Sequence, residues 1–147
     1  MKEKLFIDSD IILDIALSRE PHFLPSSLIL SSIESKLLDG FTSSIIISNI
    51  YYILRKLESH KSAIEFIAKL RLIIKILPVT DEIIKLSLES NFKDFEDSMQ
   101  YYTAIINNID YLITRNVKDY ARTDISVHTP EEYLKLKDIQ KKLGAGG

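Results

Sequence analysis

Residues 5–15 read LFIDSDIILDI and bring negative charge directly behind a short apolar run. The apolar run predicts a buried β-strand over residues 4–7 that ends at Asp8. A carboxylate at the exit of a buried strand needs a polar or charged partner. Asp8 is therefore the first candidate functional residue of the chain.

Two more aspartates follow Asp8 within the same stretch. Apolar residues at helical spacing predict a helix through residues 11–17, with Asp10 as its N-cap beside the site. Asp14 comes one helical turn after Asp10, and we expect it to be a structural residue or to lie on a solvated face. Only Asp8 of the three is predicted to be primarily functional.

The rest of the chain alternates between segments typical of strands and segments typical of helices. Further strands are predicted over 41–47, 74–79, 110–114 and 125–128. Helices are predicted over 28–40, 48–59, 60–73, 81–90, 94–108 and 129–143. The alternation predicts an α/β fold, a three-layer α/β/α sandwich with a central, mainly parallel sheet of four to five strands. We expect a single domain over residues 1–141 and a flexible tail over 142–147.

The composition limits the classes of function. The 147 residues, 46% of them hydrophobic, can build one sizeable core, and the net charge of −2 provides no overall basic field for a nucleic acid or a membrane. A polyanion would have to be bound at a local site. The sequence has no cysteine, and its charged start does not resemble a secretory signal, so we expect a cytoplasmic protein.

Glycine is scarce, and this excludes several catalytic motifs. Of the four glycines, only Gly40 lies before the C-terminal tail. Phosphate-binding loops, dinucleotide-binding turns and the nucleophile elbow of serine hydrolases each need glycines at fixed spacing. None of these motifs is present in the sequence.

Acidic and amide side chains recur where strands end and helices begin. Because the carboxyl ends of parallel strands meet at one edge of a sheet, we expect these side chains to converge there. A cluster of carboxylates repels itself unless a hard divalent cation neutralises it, and Mg²⁺ or Mn²⁺ is the natural candidate. The candidates are Asp8, Asp94, Glu96, Asp97, Asn116 and Asp119.

Individually, these acids also have purely structural explanations. Asp97 follows Asp94 at the spacing of a capping box, and acids in a first helical turn are favoured by the helix dipole. Asp119 lies in a polar loop and could simply be exposed to solvent. The functional interpretation therefore depends on their convergence.

Four segments in this order resemble the PIN-domain family of metal-dependent ribonucleases, which includes the VapC-like toxins. They are FIDSDIILD, ISNIYYILRK, DFEDSMQYYTA and DYLITRNVKDY, the last followed by TPEEYL. The resemblance implies that Asp8, Asp97 and Asp119 are catalytic metal ligands and that Asn116 is a further ligand or orienting group. It also implies hydrolysis of RNA to a 5′-phosphate and a 3′-hydroxyl, with Mg²⁺ or Mn²⁺ as the cofactor.

The sequence departs from the family at Asn49, where many members have a glutamate. An asparagine offers a carbonyl oxygen but neither a charge nor a base, so we expect weaker metal binding. Asp10, Asp94 or Glu96 could support the site. A second interpretation is therefore a catalytically weak PIN-like domain that binds RNA or a protein without cutting.

A third interpretation comes from LFIDSD, which also resembles the start of haloacid-dehalogenase-type phosphatases. That family has a nucleophilic aspartate followed by a general acid, but the residues after Asp10 match its pattern poorly. The expected partners are an RNA substrate, an antitoxin protein and a second copy of the chain, since the predicted apolar helices exceed the needs of one small core.

Overall fold

The structure, a computed structural model, describes the backbone of residues 2–120 and 123–146 and the side chains as far as Asp138. Within these residues, five parallel strands form one sheet in the order β3-β2-β1-β4-β5. The strands are β1 (Lys4–Ile7), β2 (Asp39–Ser43), β3 (Lys75–Leu77), β4 (Tyr111–Ile113) and β5 (Ser126–His128). The predicted parallel sheet of up to five strands is confirmed.

Helices connect the strands and cover the sheet. They are α1 (Ser9–Ala16), α2 (Phe23–Glu34), α3 (Ser44–Leu57), α4 (His60–Ile73), α5 (Asp81–Leu88), α6 (Phe95–Ile106) and α7 (Pro130–Gly146). From β1, the next two strands are added on one side of the sheet as far as β3, and β4 and β5 are then added on the other side of β1. Right-handed crossovers therefore put α1 to α4 on one face and α5 and α6 on the other. The pairs α3–α4, α5–α6 and α2–α7 pack together, which agrees with the predicted three-layer sandwich.

The first helix begins earlier than predicted. Its N-cap is Asp8, and Asp10 lies inside the first turn of α1. The prediction of Asp10 as N-cap is therefore wrong. Asp8 both follows the strand and caps the helix, because it is the one residue between β1 and α1.

The second strand also differs from its prediction. The β-branched run of residues 41–47 predicted a strand, but β2 ends at Ser43, whose hydroxyl accepts a hydrogen bond from the backbone N–H of Ile46 and caps α3. The helix predicted to stop at Gly40 ends at Glu34 instead. Gly40 lies within β2, where a Cβ would come within 2.6 Å of Ile33 Cδ1. The glycine therefore permits close packing of α2 on the sheet rather than ending a helix.

The C-terminal helix continues through Gly146, beyond its predicted end at Leu143. The flexibility of the tail over 142–147 stays a prediction, and Gly147 lies outside the described residues. Within the described ranges, no helix combines the length and the apolar character needed to cross a membrane.

The strand order creates a switch point between β1 and β4. The chain leaves β1 towards β2 on one side, while β4 pairs with β1 on the other. In open parallel sheets, ligands bind beyond the carboxyl ends of the strands at such a point. Asp8 follows β1 there, and Thr114 follows β4.

Candidate metal-binding and active site

Asp8 is held firmly at the switch point. Its Oδ1 accepts a hydrogen bond from the backbone N–H of Ser9, and its Oδ2 accepts one from the hydroxyl of Thr114, each at 2.8 Å. The residue is only 9% exposed. Burial, followed by repulsion from Asp10, raises the pKa of Asp8 to about 7 despite these two hydrogen bonds.

Asp97 extends from the first turn of α6. Asp94 caps this helix by accepting a hydrogen bond from the backbone N–H of Asp97 at 2.9 Å. The hydroxyl of Tyr120 lies 3.4 Å from Oδ1 of Asp97 and donates a long hydrogen bond to it. Burial, then repulsion from Asp94 and Asp119, raises the pKa of Asp97 to about 6. The structural explanation of this acidic turn is confirmed by the cap, and the functional one stays a prediction.

The loop after β4 approaches the acids of α1. Nδ2 of Asn116 donates a hydrogen bond to Oδ2 of Asp10 at 3.1 Å. Burial raises the pKa of Asp10, although the charge of Arg115 opposes the shift. Asp119 is exposed at the rim in a 3-10 helix, Val117–Tyr120, and its backbone N–H donates to the carbonyl of Asn116 at 3.0 Å.

These groups meet around a polar cleft with a volume of about 190 Å³. The predicted site residues that line it are Asp8, Asp10, Asn49, Glu96, Asp97 and Asn116. Asp94 and Asp119 do not line it, yet both raise the pKa of Asp97, so they are its near neighbours. The sequence analysis missed the other three lining residues, which are Ser9, Ile46 and Gln100.

Gln100 is the most notable of the missed residues. It lies three positions after Asp97, which puts both side chains on one face of α6. Its Oε1 accepts a hydrogen bond from the hydroxyl of Ser43 at 2.7 Å. That spacing was the available signal, but a glutamine three residues after an acid is common on any helix.

Asp14 is neither solvated nor on the rim. It is fully buried, with Oδ2 3.0 Å from Nε of Arg115 and Oδ1 3.9 Å from Nη1 of Arg19. Neither carboxylate oxygen has an aligned hydrogen bond within the described part of the chain, so these contacts are ion pairs. The predicted solvated position is wrong, and the structural alternative is confirmed. Through Arg115, Asp14 anchors the loop that carries Asn116.

The donor set at the cleft fits a hard divalent cation. No group of three acidic or histidine side chains within residues 2–120 and 123–138 is arranged as a metal-binding cluster. Mg²⁺, however, keeps several waters and is commonly held by one or two carboxylates. Asp8 and Asp97 provide two carboxylates of raised pKa in one cleft, and Oδ1 of Asp10 is buried without a hydrogen-bond partner in the described structure. A cation would relieve their repulsion.

A doubly wound, parallel α/β domain with a carboxylate cleft at its switch point is the class defined by the fold and the site. The sequence profile of the PIN domain matches residues 4–118. Ribonuclease VapC1 of Aquifex aeolicus (strain VF5) is 32% identical over 136 residues, which cover 89% of this chain and 93% of the relative. The chain therefore belongs to the PIN-domain family, in its VapC-like branch.

Solved structures support the same fold. The DNA-bound VapBC of Salmonella typhimurium superposes with a TM-score of 0.66 at 14% identity, over 87% of this chain and 98% of that one. A toxin-antitoxin complex from Klebsiella pneumoniae gives a TM-score of 0.64 at 22% identity, over 86% of this chain and 97% of that one. Membership in the PIN-domain family removes the phosphatase alternative.

Proposed function

We propose that this protein is a metal-dependent endoribonuclease that hydrolyses RNA phosphodiester bonds at the cleft. The observation that supports this most is the presence of Asp8 and Asp97 in one cleft, both with raised pKa values. No lysine or arginine of the described residues lines that cleft to neutralise them. Ribonuclease VapC1 provides independent support, because it is similar over nearly its full length.

Mg²⁺ or Mn²⁺ would be held by Asp8 and Asp97, with Asn116 and the rim residue Asp119 as further donors. When bound, such an ion supplies Lewis-acid stabilisation of negative charge at phosphorus and lowers the pKa of water. Thr114 orients the Asp8 carboxylate through its hydroxyl, and Tyr120 does the same for Asp97. These contacts fix the acidic oxygens before substrate arrives.

The reaction consumes one water and cleaves one P–O bond. The water oxygen bonds to phosphorus while the bond to the 3′-oxygen breaks, and the 3′-oxygen leaves with a proton. The products are a 5′-phosphate and a 3′-hydroxyl, and no covalent enzyme intermediate forms.

Asn49 provides a reason to keep a second candidate function. It lines the cleft but brings no charge, so the site has one acid fewer than the family pattern. A PIN domain with too little metal affinity would bind RNA or a protein without cutting it. Asn49→Glu should tighten Mn²⁺ binding, which isothermal titration calorimetry would measure.

RNA cleavage tests the proposed activity. Purified protein with Mn²⁺ and a mixed set of hairpin and single-stranded RNAs should show cleavage that Asp8→Asn and Asp97→Asn abolish. Glu3→Gln is a matched control, because Glu3 lies at the opposite end of β1 from Asp8. If both aspartate variants cut as well as the wild type, the activity comes from a contaminant and the proposal fails.

An antitoxin and a second copy of the chain are the proposed protein partners. The Klebsiella pneumoniae neighbour is a toxin-antitoxin complex. Large apolar side chains are also exposed on α3 to α6, including Tyr52, Leu57, Leu72 and Leu88. Light scattering of the protein alone, and after co-expression with the product of any small adjacent upstream reading frame, would test both. A strict monomer that binds no such product would contradict this part.

A further inference from the structure

Gln100 is a buried polar residue at the wall of the acidic cleft. Only 4% of it is exposed, and it lines the cleft with Asp8 and Asp97. Its carbonyl oxygen Oε1 is used by the 2.7 Å hydrogen bond from Ser43. In residues 2–120 and 123–138, its amide nitrogen Nε2 has no hydrogen-bond partner, although it can donate two hydrogen bonds.

Ser43 orients the amide of Gln100 through a buried hydrogen bond. Its Oγ accepts a hydrogen bond from the backbone N–H of Ile46 at 3.2 Å, so its own proton is available to donate. Gln100 Oε1 is the acceptor for that proton. In this arrangement Oγ both donates to Gln100 and accepts from Ile46, whereas a rotated amide would leave the Ser43 proton without this acceptor. The observed orientation directs the NH₂ group away from Ser43, in a residue that lines the cleft.

Among the described residues that line the cleft, Ser9 and Asn49 also carry hydrogen-bond donors, but only the Gln100 amide is oriented by a buried side-chain hydrogen bond. Ionised Asp8, Asp10, Glu96 and Asp97 can only accept hydrogen bonds. Nδ2 of Asn116 already donates to Asp10. An RNA phosphate that enters this cleft brings more negative oxygens and must find N–H or O–H groups. A neutral amide can bind such an oxygen without a positive charge that would compete with a divalent cation.

We propose that Gln100 is a substrate-binding residue, whose Nε2 donates a hydrogen bond to a non-bridging phosphate oxygen of the RNA. Ser43 is the positioning residue that orients it. This assignment rests on the proposed ribonuclease function and adds the group that recognises the phosphate. It also links the two walls of the cleft, since Ser43 caps α3 and Gln100 belongs to α6.

Two substitutions at Gln100 test the donor. Gln100→Glu keeps an acceptor for the Ser43 hydroxyl but removes the NH₂ group, whereas Gln100→Met removes the amide without adding charge. We expect the KM for RNA in Mn²⁺ to rise about tenfold or more in both, with a smaller change in kcat, because each loses a hydrogen bond to a charged group. The Kd of a fluorescein-labelled pool of hairpin and single-stranded oligoribonucleotides, measured by anisotropy in EDTA, should rise in parallel.

The positioning role of Ser43 has its own variant. Ser43→Gly removes the hydroxyl, while glycine is tolerated at an N-cap. We expect its KM to rise by about threefold or more, again with less effect on kcat, since the amide is then free to rotate. An unchanged KM would remove Ser43 from the proposal.

Asn108→Asp is the matched control for charge. It makes the same change from amide to carboxylate just beyond the other end of α6, at an exposed residue. Its KM and Kd should stay within about twofold of the wild type, since exposed charges far from the site are screened. A control that weakens binding as much as Gln100→Glu would mean that net charge, not the donor, explains the effect.

The outcomes separate this inference from the proposed function. If the wild type cuts RNA in an Asp8-dependent way but both Gln100 variants keep the wild-type KM and Kd, the inference is wrong and the ribonuclease stands. Lower melting temperatures with unchanged KM would equally reduce Gln100 to a structural role. If the wild type does not cut, the proposed function fails, and the Kd comparison in EDTA still decides whether Gln100 binds RNA.

Discussion

The carboxylates at the two ends of β1 have pKa values shifted in opposite directions. At the amino end, Glu3 accepts hydrogen bonds from the hydroxyl of Tyr133 at 2.6 Å and from Nζ of Lys137. Burial alone would raise the pKa of Glu3, but these hydrogen bonds outweigh it and hold the pKa below its usual value. At the carboxyl end, burial and Asp10 raise the pKa of Asp8 to about 7.

The difference separates a carboxylate that is paired within the chain from one that the proposed function assigns to metal binding. Glu3 ties α7 to the start of the sheet with its own partners in the chain. Within the described residues Asp8 has only neutral hydrogen-bond donors and lies beside other acids, so under the proposed function a bound cation would balance its charge. Active sites commonly keep such costly arrangements because they are needed for function.

The largest effect should follow from Asp8→Asn. Loss of an outer partner of a metal ligand typically costs about 10–100-fold in activity, so removing a ligand itself should cost more than about a hundredfold. Initial rates of RNA cleavage in Mn²⁺ would measure this. An asparagine variant that retains a tenth or more of the wild-type rate would remove Asp8 from the reaction.

The pH dependence of the free energy of unfolding should differ between the wild type and Asp8→Asn. A raised pKa means that the folded, metal-free protein binds more protons at Asp8 than the unfolded chain between about pH 4 and pH 7. Stability should therefore fall as the pH rises through this window, by on the order of 2–4 kcal/mol from Asp8. Urea titrations in EDTA should show a smaller fall for Asp8→Asn. If stability falls equally with pH in the two proteins, the pKa of Asp8 is not raised in the folded state.

A smaller loss of stability is expected from Asp14→Asn. The variant removes the ion pair between Asp14 and Arg115, which anchors the loop after β4. Arg115 then keeps only its longer contact with Asp10 among the described ion pairs. Because Arg115 is one third exposed, the cost should be about 1–2 kcal/mol, below that of a fully buried pair. Urea denaturation would measure it. Arg19→Gln is the control, with a loss of less than about 0.5 kcal/mol, since Arg19 is more exposed and lies 3.9 Å away.

Glu3→Gln should have a smaller effect than Asp14→Asn. It weakens the contacts to Lys137 and Tyr133 at a partly exposed position and should cost about 0.5–1 kcal/mol of stability. RNA cleavage should be unchanged, because Glu3 is at the far end of the strand. A large loss of activity would contradict the separation between the two ends of β1.

Much of the fold was predictable because local signals and tertiary structure agreed. The helix over residues 60–73 begins after the N-cap Ser59 and was predicted to the residue. The predicted boundary between β2 and α3 was wrong because Ile45, Ile46 and Ile47 favour a strand locally. The hydroxyl of Ser43 and the packing of the helix on the sheet override this preference.

The site was predictable in part for similar reasons. Asp8 and Asn116 follow from the rule that parallel strands gather their carboxyl ends, whereas Asp97 was expected from its place at the start of a helix and from the family resemblance. The burial of Asp14 did not follow, because its partner Arg115 is about a hundred residues away and no local pattern marks the pair. The role of Asp119 as a metal ligand stays a prediction, since its exposed position depends on the conformation of a 3-10 turn that spacing does not specify.

The proposed function requires that Asp8 and Asp97, at the switch point, bind a divalent cation. A calorimetric titration of the wild type with Mn²⁺ at pH 6.5 and pH 8.5, in buffers of different ionisation enthalpy, tests it most directly. Asp8, with a pKa of about 7, should lose its proton when the cation binds. We expect tighter binding at pH 8.5 and a proton release at pH 6.5 that is largely lost in Asp8→Asn. Mn²⁺ binding that Asp8→Asn and Asp97→Asn leave unchanged would contradict it.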